Sequence, residues 1–220
     1  METGTGKDRK TMAEQYHLDV LHQGIDEWNQ WRQEHHSIQP DFSSVDFKGA
    51  QLGRVNLAGA RLNGADLSGA DLRESLLIRA DLSEAILSRA NLARADLQGA
   101  NLRAAILSDA NLSDAILSNA VLSDADLIGA ILTGAEVTGT DFSGVDFSDA
   151  DLSGIDFSKA NTHGARLGKA YFSRRSNTLL DESYQQSLHA DTQRQLGKQR
   201  AGFDAEDLDE RAHEDWANDE

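Results

Sequence analysis

The 220-residue chain contains no cysteine, which excludes a disulfide framework and any thiolate-ligated metal site. It has no apolar run approaching the roughly 18 residues of a membrane-spanning helix. The first ten residues, METGTGKDRK, lack the apolar core of a secretory signal, so a soluble cytoplasmic protein is expected. Cations are scarce: 21 Lys and Arg face 37 Asp and Glu, a formal charge of -16, which argues against direct nucleic-acid binding through phosphate neutralisation. The imbalance is uneven, since residues 203–220 hold nine acids against Arg211 alone.

What the chain does have is a repeat, and a repeat must be found before any element is assigned. Of the 27 positions taken every fifth residue from Phe42 to Phe172, 25 are Leu or Phe, with Val137 and Thr162 the exceptions. The residue two places earlier is Ala in 20 cases, the residue between is Asp or Asn in 16, and Ser or Thr follows in 15. The phase holds throughout.

A period of five fits neither simple element. On a helix it advances about 140° per step and spreads the leucines around every side. On a straight strand an odd period sends successive leucines to opposite faces. Each repeat must therefore be a short extended piece followed by a corner, with Ala and Leu pointing in and the residue between them pointing out, the outward direction accounting for its Asp and Asn preference. Glycines such as Gly59, Gly69, Gly99, Gly129 and Gly144 suit the corners.

The tandem Ala-(Asp/Asn)-Leu-(Ser/Thr)-X pattern resembles that of the pentapeptide-repeat proteins. The resemblance implies an all-β solenoid, a right-handed quadrilateral β-helix with four repeats per coil. The 27 repeats then give about seven coils in a rod of roughly 30 Å at ~4.8 Å per coil.

An open solenoid exposes unpaired backbone and apolar interior at both ends, so caps are expected. Leu18, Leu21, Ile25 and Trp28 recur at helical spacing before Pro40, and residues 20–32 resemble the leader helix preceding many bacterial, often cyanobacterial, members. Trp28 and Trp31 are either a partner site or a plug for the first coil, the plug being expected for Trp28. Leu180, Tyr184 and Leu188 predict a C-terminal helix. The expected organisation is a disordered 1–10, a capping helix over 11–39, the β-helix over 40–173, a helix over 174–202 and a disordered acidic tail over 203–220.

Nothing in the pattern points to catalysis. The seven histidines have no zinc spacing, and the glycines recur in register with the corners and form no phosphate loop. The serines belong to the repeat and lack a nucleophile elbow. A regular rod offers no deep pocket. A non-enzymatic scaffold without cofactor or metal is expected, binding a protein partner not identifiable from sequence or forming a homodimer through the C-terminal helix.

Two outward features depart from the repeat. No Lys or Arg lies between Arg103 and Lys159, a stretch that carries Asp109, Asp114, Asp124, Asp126, Glu136, Asp141, Asp146, Asp149, Asp151 and Asp156. Counted in twenties, these acids fall on all four faces, and only Asp109, Asp126, Asp146 and Asp149 share one. The family resemblance gives this an alternative meaning, because quinolone-resistance members mimic DNA and bind DNA gyrase. The second feature is apolar residues where Asp or Asn is usual: Leu76, Ile86, Ile106, Ile116, Val121 and Ile131. Ile86 and Ile106, twenty apart, are expected to stack on one face, either as a candidate partner surface or as β-branched residues that simply suit a strand.

Overall fold

The computed structural model describes residues 15–172. Parallel bridges join residues twenty positions apart, from Asp41↔Arg61 to Asp151↔Tyr171. Four five-residue segments therefore complete one coil, and the coils stack into a β-solenoid. Its faces are named here by their first outward residue: face 1 from Asp41, face 2 from Asp46, face 3 from Gln51 and face 4 from Asn56.

One repeat shows why the chain turns. Asp66 N–H donates to Val45 O in the coil before, while Leu67 and Gly69 N–H donate to Ile86 O and Ser88 O in the coil after. Ala70 N–H closes the corner onto Leu67 O at 3.0 Å. The third residue of that corner, Gly69, has φ +65°, the signature of a type II turn. Thirteen non-glycine residues, from Ser44 to Asp149, hold the same left-handed φ. Only the N–H of Ser68 is left over, and Asp66 Oδ1 accepts it at 2.9 Å.

That last bond recurs at all sixteen Asp and Asn positions. Outward exposure, the reason expected from the sequence, does not explain the preference, since Lys or Glu would serve equally. The short side chain reaches back to the one corner N–H without a ladder partner. Where Ile86 and Ile106 stand instead, the N–H groups of Ser88 and Ser108 have no such acceptor.

The interior is a ladder of Leu and Phe, with the central Leu of every repeat from Leu57 to Leu132 fully buried. Phe142, Phe147 and Phe157 pack edge-to-face at 5.2–6.0 Å between centroids. The sequence phase is unbroken, yet the hydrogen-bond ladder slips at this end. Asn119 N–H donates to Thr138 O, nineteen on, whereas Gly139 N–H donates to Lys159 O, twenty on, and no bridge joins Glu136 to Asp156. The slip accompanies Ile155, fully buried in a place that Ala holds in most repeats, beside the bulky Phe157.

Ser75 also takes an Ala place, between Val55 and Ala95. Its Oγ is buried without a hydrogen-bond partner. Ser75→Ala is expected to raise stability by about 1 kcal/mol, because it removes an unpaired hydroxyl at almost no cost in volume. Thr140→Ala is expected to do the opposite, since Thr140 Oγ1 donates to Leu117 O at 2.8 Å. Thermal unfolding of the two variants checks the pair.

Before the solenoid, residues 15–21 form α1 and Ile25–Glu34 form α2. The single helix expected over 11–39 is thus broken, at Gly24, whose φ of +139° is open to glycine alone. Asp26 and Glu27 in the first turn of α2 and Arg32 in the last suit its dipole, and His35 closes it through an N–H to Trp31 O. Trp28 is fully buried, its ring 5.1 Å from Trp31 and 5.5 Å from Phe42. Its Nε1 donates to Asn56 O, Arg32 Nη2 donates to Ala58 O, and Asn29 Oδ1 accepts from Asn56 N–H. Inner coils bond these same backbone groups to the coil before. The expected segments 1–10, 174–202 and 203–220 lie outside the described residues.

Candidate partner-binding surface

Face 2 carries the outward column Asp46, Asp66, Ile86, Ile106, Asp126, Asp146 and Arg166, each bridged to the next. Asp109 and Asp149 stand on the corner that ends the same face, both with φ +59°. The six residues singled out from the sequence, Ile86, Ile106, Asp109, Asp126, Asp146 and Asp149, therefore share one side of the rod.

The apolar part is distinctive. Ile86 and Ile106 are the only two apolar outward residues bridged to each other among the described residues. Leu76 and Ile116 on face 4 are separated by Asp96, while Val121 and Ile131 stand singly on faces 1 and 3. Ile86 is 36% exposed and Ile106 39%. The structure adds Ile128, 40% exposed on the coil above Ile106. Sequence reasoning missed it because it stands after the central Leu, whereas departures were sought only before it. Counting both outward positions in twenties would have found it.

The acids are less free than the sequence implied. Arg89 approaches Asp109 at 3.6 Å, Arg94 approaches Asp114 at 3.9 Å and Arg103 approaches Asp124 at 3.6 Å. Arg166 holds Asp146 at 2.8 Å. Cations from beyond the Arg-free and Lys-free stretch thus reach across one coil into it. Such exposed pairs add little stability, but they cancel charge locally. Desolvation opposes ionisation of Asp146, yet hydrogen bonds from the Ser148 hydroxyl and amide, and then from Arg166, hold its carboxyl below the usual range. The hydroxyl and amide of Ser68 likewise lower that of Asp66.

Asp126 differs. Its Oδ1 accepts from Ile128 N–H, its Oδ2 accepts from Ser108 Oγ at 3.0 Å, and no cation pairs with it among the described residues. Above Asp109 sits Gly129, at φ +67°, where a Cβ would meet Asp109 Oδ1 at 2.6 Å. Gly129 puts no side chain at that corner, which leaves the flank of Ile128 open. Among the described residues no helix is long and apolar enough to cross a membrane, and no group of three or more His, Asp or Glu is placed to hold a metal.

Among solved structures, a pentapeptide repeat protein of the Arabidopsis thaliana thylakoid lumen is 28% identical, over 52% of this chain and 66% of that one, with a TM-score of 0.39. Rfr23, from the cyanobacterium Cyanothece 51142, is 24% identical over 66% of this chain and 94% of its own, with a TM-score of 0.44. QnrB1, a plasmid-mediated fluoroquinolone resistance protein, is 24% identical over 64% and 86%, with a TM-score of 0.28. No curated protein matches the chain. The family model for pentapeptide repeats matches residues 41–77, 75–107, 105–144 and 138–174. With the twenty-residue coil and its Asp/Asn-bonded corners, this places the chain in the pentapeptide repeat family.

Proposed function

We propose that the protein is a non-enzymatic interaction scaffold, acting in the cytoplasm, and that face 2 is where its partner docks. The observation that carries this reading is the bridged, exposed pair Ile86–Ile106 with Ile128 beside it. Exposed apolar side chains that stack on one another, unlike Leu76, Val121 and Ile131, serve contact better than stability. In the same reading α1 and α2 cap the first coil of a right-handed, four-sided rod of about seven coils, counted from 27 repeats at four per coil.

The DNA-mimic alternative needs aligned, uncompensated acids. Of the four acids on face 2 that suggested it, Asp109 and Asp146 have arginine partners, which weighs against it.

Quantitative affinity purification with wild type, with Ile86→Asn/Ile106→Asn, and with Leu76→Asn/Val121→Asn as control tests the surface. A partner lost with the first double variant and kept with the second is expected. Equal recovery with both overturns the assignment of face 2. In a gyrase supercoiling assay the wild type is expected to have no effect. Stoichiometric, salt-sensitive inhibition, lost in Asp126→Asn/Asp146→Asn/Asp149→Asn, replaces the scaffold reading with the mimic.

A further inference from the structure

Resting on face 2 as the docking surface, we infer that its occupant is an amphipathic α-helix of a partner protein, with an apolar centre bracketed by two cationic side chains. Three observations select this chemistry.

The first is backbone saturation. Ile86 N–H donates to Ala65 O and Ile86 O accepts from Leu67 N–H; Ile106 N–H donates to Ala85 O and Ile106 O accepts from Leu87 N–H. The face therefore has no strand edge to extend, and an added strand would leave its own ladder groups unpaired. A helix brings its backbone already bonded. The N–H groups of Ser88 and Ser108 remain as isolated donors beside the isoleucines, within reach of a side-chain amide but unable to hold a strand.

The second is the charge around the isoleucines. Asp66 lies one coil below Ile86 and Asp126 one coil above Ile106. Neither forms an ion pair among the described residues, whereas Asp109 and Asp146 do. Lys48 acts on Asp66 only from beyond ion-pair distance, so an apolar centre with a carboxylate at each end and no cation in contact suits a ligand with a cation at each end.

The third excludes a second copy. A two-fold axis lying across the rod in the plane of contact, placing Ile86 on Ile106 of the other copy, also places Asp66 on Asp126. A two-fold axis along the rod sets each of these acids against itself. Like charges meet in both arrangements, and such juxtaposition is costly.

The span then sets the spacing. Asp66 and Asp126 are three coil steps apart, about 14 Å at ~4.8 Å per step. A helix rises ~1.5 Å per residue, so the cations belong about ten residues apart. A spacing of about eleven returns them to the same helical side, with apolar residues four and seven places after the first cation lying between them.

The test uses the full-length protein and labelled, Ala-rich helical peptides in a fluorescence anisotropy titration. One peptide carries Lys at the two bracketing positions and Leu at the two apolar ones; a second carries Glu in place of Lys. Wild type is expected to favour the Lys peptide by about tenfold at low salt, with the preference shrinking as salt rises. Asp66→Asn/Asp126→Asn is expected to abolish the preference and keep the fold, because Asn makes the same corner bond as Asp, as Asn111 does with Ser113 N–H. Ile86→Asn/Ile106→Asn is expected to abolish binding of both peptides.

Equal affinity for the two peptides, or no binding of the Lys peptide, overturns the helix proposal. If purification still shows an Ile86- and Ile106-dependent partner, the docking surface stands and only this chemistry falls. Sedimentation showing dimers that Ile86→Asn/Ile106→Asn dissolves assigns the face to a second copy. Binding by a chain ending at residue 172, but not by the full chain, assigns it to the protein's own C-terminal segment. Either result overturns the proposal.

Discussion

Leu112→Ala is expected to destabilise the protein by about 2–5 kcal/mol, the range for truncating a fully enclosed Leu. Leu112 is completely buried between Leu92 and Leu132, its neighbours one coil below and above. Its N–H donates to Ile131 O, and Leu92 N–H donates to the O of Asn111 just before it. The rigid coils on either side have little freedom to close over the cavity. Ser113→Ala, one residue along, is expected to cost at most about 1 kcal/mol, the value of its hydroxyl bond to Asn111 Oδ1. The position of Leu112 adds a signature in cooperativity. Each coil touches only its neighbours, so weakening a middle coil also uncouples the two halves of the rod. Urea unfolding followed by circular dichroism is expected to show a lower midpoint and a broader transition for Leu112→Ala, and at most a slightly lower midpoint with unchanged steepness for Ser113→Ala. Comparable losses from the two would contradict the inward and outward assignment on which every other statement about the faces rests.

That assignment was legible in the sequence because one residue type per position suffices to state it. The Leu and Phe every fifth residue, with Ala two places before, fix which side chains point inward once the period excludes helix and flat strand. The corner chemistry was only half legible. The preference for Asp or Asn is visible in the sequence, but its cause is a bond to the backbone two residues on, as from Ser68 N–H to Asp66 Oδ1. A sequence does not show which N–H lacks a ladder partner.

The surface was harder to read because neighbours on it are twenty residues apart in the chain. Arg89 and Asp109 meet only through stacking, as do Arg166 and Asp146. A linear reading therefore saw a long uncompensated acidic stretch where the fold interleaves cations. The slip at Gly139 and Lys159 was invisible for another reason. It changes the hydrogen-bond register while the side-chain phase continues unaltered. The break at Gly24 was missed because Leu21 and Ile25 keep helical spacing across it.

Removing residues 1–36 is expected to turn the N-terminal end of the rod into an adhesive surface. Without α2, the rings of Phe42 and Phe47, packed at 5.5 Å, lose the cover of Trp28 and Trp31. Asn56 N–H, Asn56 C=O and Ala58 C=O lose Asn29, Trp28 and Arg32 as partners. An apolar layer ringed by unpaired donors and acceptors is the edge that β proteins normally cover, and stacking another rod against it would satisfy both needs at once. Sedimentation velocity is expected to show concentration-dependent end-to-end oligomers for the truncated protein and none for the full chain. Trp28→Ala separates the two contributions. It is expected to cost about 3–5 kcal/mol through the lost packing of a fully enclosed indole, and to leave Asn56 O without its donor, while the rest of α2 still shields the end. The point variant should therefore melt earlier yet remain monomeric in the same experiment. A truncated chain that stays monomeric and melts like the full protein would show that α2 merely leans on the first coil, and that the end of the rod is closed by other means.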